Sequence, residues 1–206
     1  MDFSWSSEQI ALREHARRVA NEAVKKYGRF NDTWMNGYSR EFSRELAQHG
    51  WIGMTWPTEF GGGGRPAIER LIVGEEMISA GAPIAASWFA DRQMGPALIS
   101  YGTKNQQDTF LPSMLSGETT WCIGMSEPNS GSDLASLQAK AVRTDEGWLI
   151  NGTKLWTTNA HIASYMIGLF RTDLNAQPKH AGLSQFIIDL KNTPGVTVMH
   201  PRGAVL

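Results

Sequence analysis

TTWCIGMSEPNSGSDLASLQAKAVRTDEGWLINGTKLWTTNA, residues 119–160, is the stretch in which the chain changes its period. "TTWCIGMS" is a short apolar strand candidate. Two turn signals follow, Asp145-Glu146-Gly147 and Asn151-Gly152, each set between strand-like pieces. The second is a strong hairpin signal, because both residues tolerate positive φ. Strands joined by such tight turns pair antiparallel. Downstream, "SYMIGLFR", "SQFIIDL" and "GVTVM" are apolar runs of strand length. The expectation for residues 118–206 is an antiparallel β domain, barrel or sandwich.

Upstream of Gly117 the spacing is helical instead. Ser6 with Gln9 forms a capping-box pattern, and Leu12, Ala16, Val19, Ala20, Ala23 and Val24 recur at three-and-four spacing until Gly28. Ser39 to Gln48 predicts a second helix, stopped by Gly50. "WIGMTWPTEFGGGGRP" is a non-helical connection, and Pro66 opens a third helix carrying Ile68, Leu71, Ile72, Glu75 and Ile78. Pro83–Phe89, Gly95–Ser100 and Asn105–Leu115 are expected to be further helical pieces, the last broken or kinked by Pro112. The expected organisation is therefore multi-domain alpha plus beta, with an all-helical domain over 1–117 and the β domain after it.

Bulk properties narrow the classes of partner. A chain of 206 residues with a formal charge of -1 and scattered Lys and Arg gives no electrostatic reason to expect nucleic acid or anionic lipid. No apolar run is long enough to span a membrane, and the start shows no basic leader followed by an apolar stretch. The single cysteine, Cys122, lies between Trp121 and Ile123 and reads as buried. These features point to a cytoplasmic protein. His15, His49, His161, His180 and His200 do not cluster at ligand spacing, so no metal site is expected.

Within the opening stretch, "SEPNSGSD" concentrates serines, carboxylates, an amide and a glycine directly after a strand. Backbone N–H groups and hydroxyls can converge there on an anion or on the polar edge of a ring, or the loop can be a solvated turn. Strand alternation after the Asn151-Gly152 turn would put Trp156 and Thr158 on one face and Thr157 on the other. An aromatic plane beside a hydroxyl suits a flat heteroaromatic ligand, although taken alone the simpler reading is a core tryptophan flanked by sheet threonines. "GMSEP" lacks the second glycine of a nucleophile elbow, and the glycine run at 61–64 lacks the Gly-Lys-Ser/Thr of a phosphate loop. Glu75 and Glu76 sit in an apolar helix where either could be a buried acid. Glu127 and Asp133 could act as a base, or hold the loop by accepting backbone N–H bonds.

These segments resemble the acyl-CoA dehydrogenases. "MSEPNSGSDLASLQAKAVR" is similar to that family's T/S-E-P-x-x-G-S-D segment, "INGTKLWTTNA" to its N-G-x-K-x-W-I-T-N-A segment, and "GMTWPTEFGG" to its Pro-x-x-[Tyr/Phe]-Gly-Gly connection. The resemblance runs from "FSWSSEQIALREHARR" to "GVTV". It implies a helical domain, a middle β domain and a second helical domain, with FAD as cofactor. It implies oxidation of an acyl-CoA thioester between the carbons α and β to the carbonyl. A carboxylate takes the α proton, hydride passes from the β carbon to flavin N5, and an electron-transferring flavoprotein accepts the electrons.

Carried over by motif, Ile123, Met125 and Ser126 lie against the flavin, with the Ser126 hydroxyl on its pyrimidine side. Ser132 holds the loop near the flavin phosphate and the CoA portion. Trp156 covers the ring, with Thr157 beside it, and Thr158 reaches the N5 region. Ser126 stands where many members have threonine, and Asn129-Ser130 where Gly-Ala is common. No glutamate matches the family's catalytic base, which the resemblance places beyond Leu206 in the second helical domain. The chain alone is therefore expected to show no appreciable turnover and weak FAD retention, and a homo-oligomer or a partner chain supplying the C-terminal helical domain is implied. The alternatives are a non-catalytic subunit or interaction module with this fold, or a related flavin-dependent oxidase or monooxygenase.

Overall fold

The computed structural model describes residues 4–199, so the first residues of the stretch read for a leader, and everything from His200 to Leu206, lie outside it. The chain divides into two compact units, Met1–Thr120 and Trp121–Leu206.

In the first unit, α1 (Ser7–Tyr27) begins at a reciprocal capping box, in which the Ser6 hydroxyl accepts from the Gln9 N–H and the Gln9 side chain accepts from the Ser6 N–H. It packs along α3 (Ala67–Ala80), and its small residues Ala16, Ala20 and Ala23 let Ile72, Val73 and Met77 approach closely. Glu76 is the buried acid of the pair anticipated on α3. Its carboxylate accepts from Arg13 Nε at 2.7 Å and from Arg17 Nε and Nη2 at 2.9 and 3.0 Å, which holds its pKa below the usual range. α2 (Arg40–Gln48), capped by the Ser39 hydroxyl, adds Phe42 and Leu46 to this core.

Two helical expectations change. The pieces expected at 83–89 and 95–100 are α4 (Ala85–Phe89) and α5 (Gly95–Tyr101), and a wide helical turn over Ala90–Met94 joins them without a break. Pro96 has no N–H for a regular turn to use, and the widened turn absorbs it. α6 (Lys104–Leu115) runs through Pro112 as a single helix. The carbonyl that Pro112 deprives of a regular helical partner belongs to Asp108, an exposed residue.

The glycine-rich connection between α2 and α3 folds onto its own tryptophan. Trp56 is 2% exposed, and its Nε1 donates to the Asp91 carbonyl at 2.9 Å. The Asp91 carboxylate accepts from the Gly53 N–H at 2.7 Å. A Cβ at Gly62 would stand 2.3 Å from the Trp56 carbonyl, and one at Gly95 only 1.9 Å from its ring.

The second unit is an open five-stranded sheet rather than a closed barrel, and it is mixed rather than wholly antiparallel. β1 (Trp121–Gly124) pairs parallel with β4 (Tyr165–Arg171), with Ile123 opposite Ile167. The segment linking them is long enough for the crossover that a parallel pair requires. β2 (Lys140–Thr144) and β3 (Gly147–Asn151) form the antiparallel hairpin expected at Asp145-Glu146. β5 (Leu183–Asp189) lies antiparallel on β4.

Asn151-Gly152 does not make a second hairpin. β3 ends there, and Gly152 (φ 153°) lets the chain leave the sheet past Ala139, whose Cβ would be 2.3 Å from any Cβ at position 152. Residues 195–199, read as a strand, are irregular. Cys122, Ala139, Ala141, Met166, Phe170 and Ile188 form the core, and burial pushes the Cys122 thiol up to about 12, leaving it protonated and inert.

Candidate functional site

Beyond β1 the chain enters the serine-rich loop. Glu127 and Ser130 exchange backbone hydrogen bonds at 2.8 and 3.2 Å, closing a tight turn over Pro128-Asn129. The Ser130 and Ser136 hydroxyls both donate to the Asp133 carbonyl at 2.8 Å, so these serines fold the loop rather than face outward. Arg171, at the end of β4, donates to the carbonyls of Leu137 (3.1 Å), Ala135 (2.5 Å) and Lys179 (3.0 Å) and fixes the loop's far end.

The second segment is not a strand. Trp156 adopts φ 55° and its indole is 87% exposed, so alternation does not decide which way it and Thr158 face. Left-handed backbone costs a bulky L-residue roughly 1–3 kcal/mol and persists only where neighbours enforce it. The neighbours here are a backbone bond from Leu155 N–H to the Ser126 carbonyl at 2.8 Å, and a short turn downstream in which the Ile162 and Ala163 N–H groups donate to the Asn159 carbonyl. Asn159 also takes positive φ (66°), and its buried side-chain nitrogen has no hydrogen-bond partner among the described residues.

Of the residues singled out from sequence, Met125 and Ser126 are tied directly to the segment that carries Trp156, Thr157 and Thr158. Ile123 stands just upstream on β1, partly buried. Ser132 lies on the exposed part of the loop, and no hydrogen bond joins it to Ser126 or to residues 156–158. The Ser126 and Thr158 hydroxyls bond no other group among the described residues, which leaves both free for a ligand. Gly131 is not at positive φ and a Cβ there would meet nothing, so the chain's own packing does not require glycine.

Glu127 is not placed as a base. Its carboxylate accepts from Gln138 N–H (2.7 Å), Ala139 N–H (3.0 Å) and Lys154 Nζ (2.8 Å). Burial alone would raise its pKa, but the ammonium and the two N–H groups outweigh it and hold the carboxyl below the usual range. Lys154 and Arg171 were not marked from sequence. The available signal for Lys154 was a lone cation in "TKLWTT" with a glutamate in the preceding motif; Arg171 gave none beyond ending an apolar strand.

Unbonded hydroxyls and an exposed aromatic plane therefore stand on two segments joined by the Leu155–Ser126 backbone bond. Comparisons with known proteins agree with the motifs. Residues 6–118 match the acyl-CoA dehydrogenase N-terminal domain and residues 122–205 the acyl-CoA dehydrogenase middle domain. Acyl-CoA dehydrogenase FadE34 of Mycobacterium tuberculosis is 41% identical over 156 residues, covering 74% of this chain and 21% of that protein. The crystal structure of the ChsE4-ChsE5 complex from Mycobacterium tuberculosis superposes with a TM-score of 0.81 at 32% identity, covering 93% of this chain and 49% of its counterpart. The FAD complex of PigA gives a TM-score of 0.76 at 26% identity, covering 95% of this chain and 51% of its counterpart. The chain thus spans about half the length of the two solved structures and less of FadE34.

Proposed function

The chain belongs to the acyl-CoA dehydrogenase family, and on that premise we propose that it provides the flavin-facing part of an FAD-dependent dehydrogenase acting on an acyl-CoA thioester. The observation that carries this reading is the 2.8 Å bond from Leu155 N–H to the Ser126 carbonyl, which sets a free hydroxyl and an exposed, backbone-strained indole on adjoining segments. FAD, when bound, supplies the acceptor for the hydride and electrons of the oxidation.

The chain's own residues bind and orient. Ser126 donates to the pyrimidine edge, Ile123 and Met125 supply apolar contact, Trp156 covers a ring face, and Thr157 and Thr158 complete the polar side. Ser132, on the exposed loop, serves the CoA portion. Glu127 is not assigned as the α-proton base, because its carboxylate is committed to three donors. The physiological acceptor on this reading is an electron-transferring flavoprotein, and the assembly contains further copies or a second chain, as the ChsE4-ChsE5 complex pairs two chains. No helix among the described residues is long and apolar enough to cross a membrane, in keeping with a cytoplasmic setting.

Titration of the chain with FAD, followed by quenching of flavin fluorescence, tests the reading. Saturable quenching is expected, weakened about two- to tenfold in Trp156→Ala and in Ser126→Ala, since a good polar or stacking contact is worth about 0.5–1.5 kcal/mol. Absence of quenching at any FAD concentration rejects it. Bleaching of the bound flavin on adding an acyl-CoA is not expected from this chain alone.

A further inference from the structure

We propose that Lys154 is a positioning residue, which through Met125 and Glu127 locks the Ser126 and Trp156 segments into one cofactor-facing surface; this rests on the flavin reading above. Lys154 runs against the pattern around it. Thr153, Leu155 and Trp156 are exposed, yet the lysine side chain is 7% exposed, as is that of Glu127. Its ammonium donates to the Met125 carbonyl at 3.1 Å and to Glu127 Oε1 at 2.8 Å, and lies 4.9 Å from the centre of the Phe170 ring. One cation therefore touches the end of the first segment, the turn after it and the sheet core beneath.

Desolvating two opposite charges is costly, and their attraction only roughly offsets that, so a well-packed apolar pair would hold the fold as well. What the charged pair adds is geometry. Glu127 is fixed on both oxygens by the N–H groups of Gln138 and Ala139 at the entry to β2, and so presents Lys154 with a stationary acceptor. Residues 152–157 pair with no strand, and the Leu155 N–H to Ser126 bond is their one backbone bond to the serine loop among the described residues. That bond alone permits rotation about itself. The lysine supplies a second point of attachment, and two points hold Trp156 at φ 55° with its indole in solvent. Without the second point, the left-handed backbone at Trp156 is free to relax and the two segments lose their fixed relation.

The test combines FAD affinity with amide hydrogen exchange. Lys154→Met keeps the stem's volume and removes the charge. Glu127→Gln with Lys154→Met removes both charges and serves where an uncompensated glutamate prevents folding. Lys154→Arg restores a cation. In a folded Met variant, FAD affinity is expected to fall at least about tenfold, which is about 1.4 kcal/mol. Exchange is expected to quicken in 125–130 and 153–160 while β4 and β5 keep their protection. The arginine variant is expected to recover most of the affinity, which a loss of packing alone would not predict. Affinity within twofold of the unsubstituted chain, in either variant that carries Lys154→Met, overturns the proposal. If the unsubstituted chain binds no FAD, it is the flavin reading that fails, and the lock is then judged on exchange: selective quickening in the two segments supports it, and unchanged exchange overturns it.

Discussion

Two irregular connections, one glycine-rich and one serine-rich, each carry a tryptophan, and the two tryptophans end in opposite environments. In "GMTWPTEFGGGG" the glycines make room for the chain's own indole: Trp56 is buried, hydrogen-bonded to Asp91, and packed so closely on Gly62 and Gly95 that neither tolerates a Cβ. In "SEPNSGSD" with "KLWTT" nothing occupies the space beside Gly131, and Trp156 stands in solvent on a strained backbone. The first connection satisfies itself. The second leaves the Ser126 and Thr158 hydroxyls without a partner among the described residues and its aromatic face exposed, the features on which the flavin proposal rests.

The contrast breaks most readily at Trp56. Replacing it with alanine is expected to cost about 3–5 kcal/mol in chemical denaturation of the helical unit, the usual range for a fully buried aromatic. A loss below about 1 kcal/mol would mean that the connection is not held by its tryptophan. Gly95→Ala comes next, at about 1–3 kcal/mol, because the new methyl must displace a ring already packed on both sides.

A smaller effect separates by pH the carboxylates that brace the two connections, Asp91 on the Ala90–Met94 turn and Glu127 in the serine loop. Burial pushes the Asp91 carboxyl up, against the Gly53 N–H and the neighbouring Arg92 and Arg70. An acid raised in the fold contributes fully below its unfolded pKa of about 3.9 and loses that contribution as pH rises through the folded value. Glu127 is held low, so its contribution is present above about 4.3 and disappears as pH falls through its folded pKa. Denaturation between acid and neutral pH should therefore show Asp91→Asn gaining on the parent as pH rises and Glu127→Gln losing ground. Parallel trends would remove the distinction. At Trp156, substitution by glycine should leave stability unchanged or raise it by up to about 1 kcal/mol while abolishing the FAD contact, since glycine accepts the left-handed backbone freely. The smallest effect belongs to Gly131→Ala, within about 0.5 kcal/mol in stability, with any loss appearing only in ligand affinity.

Local signals carried the helical unit. Ser6 with Gln9, Ser39 and Gly28 mark real ends because caps and stops act within a turn of themselves. The serine loop and its partner motif were legible as a pair because the family spaces them alike, and Ser126 does meet Leu155. Asn151-Gly152 misled because its glycine answers to Ala139, a residue from the preceding hairpin strand's approach, and not to a turn of its own. Pro112 misled because a proline removes one helical N–H bond, and the helix continues on the bonds that remain.

The sequence by itself determined the succession of helices then strands, the capped ends, and the two motifs that identify the family, all of which depend on neighbours along the chain. Only the tertiary structure decided that β1 and β4 run parallel, that the segment after Gly152 leaves the sheet, that Trp56 is core and Trp156 is surface, and that Lys154 joins Glu127. Those outcomes rest on which groups meet across long stretches of chain. Burial, strain and charge pairing are properties of that meeting, and no single residue carries them.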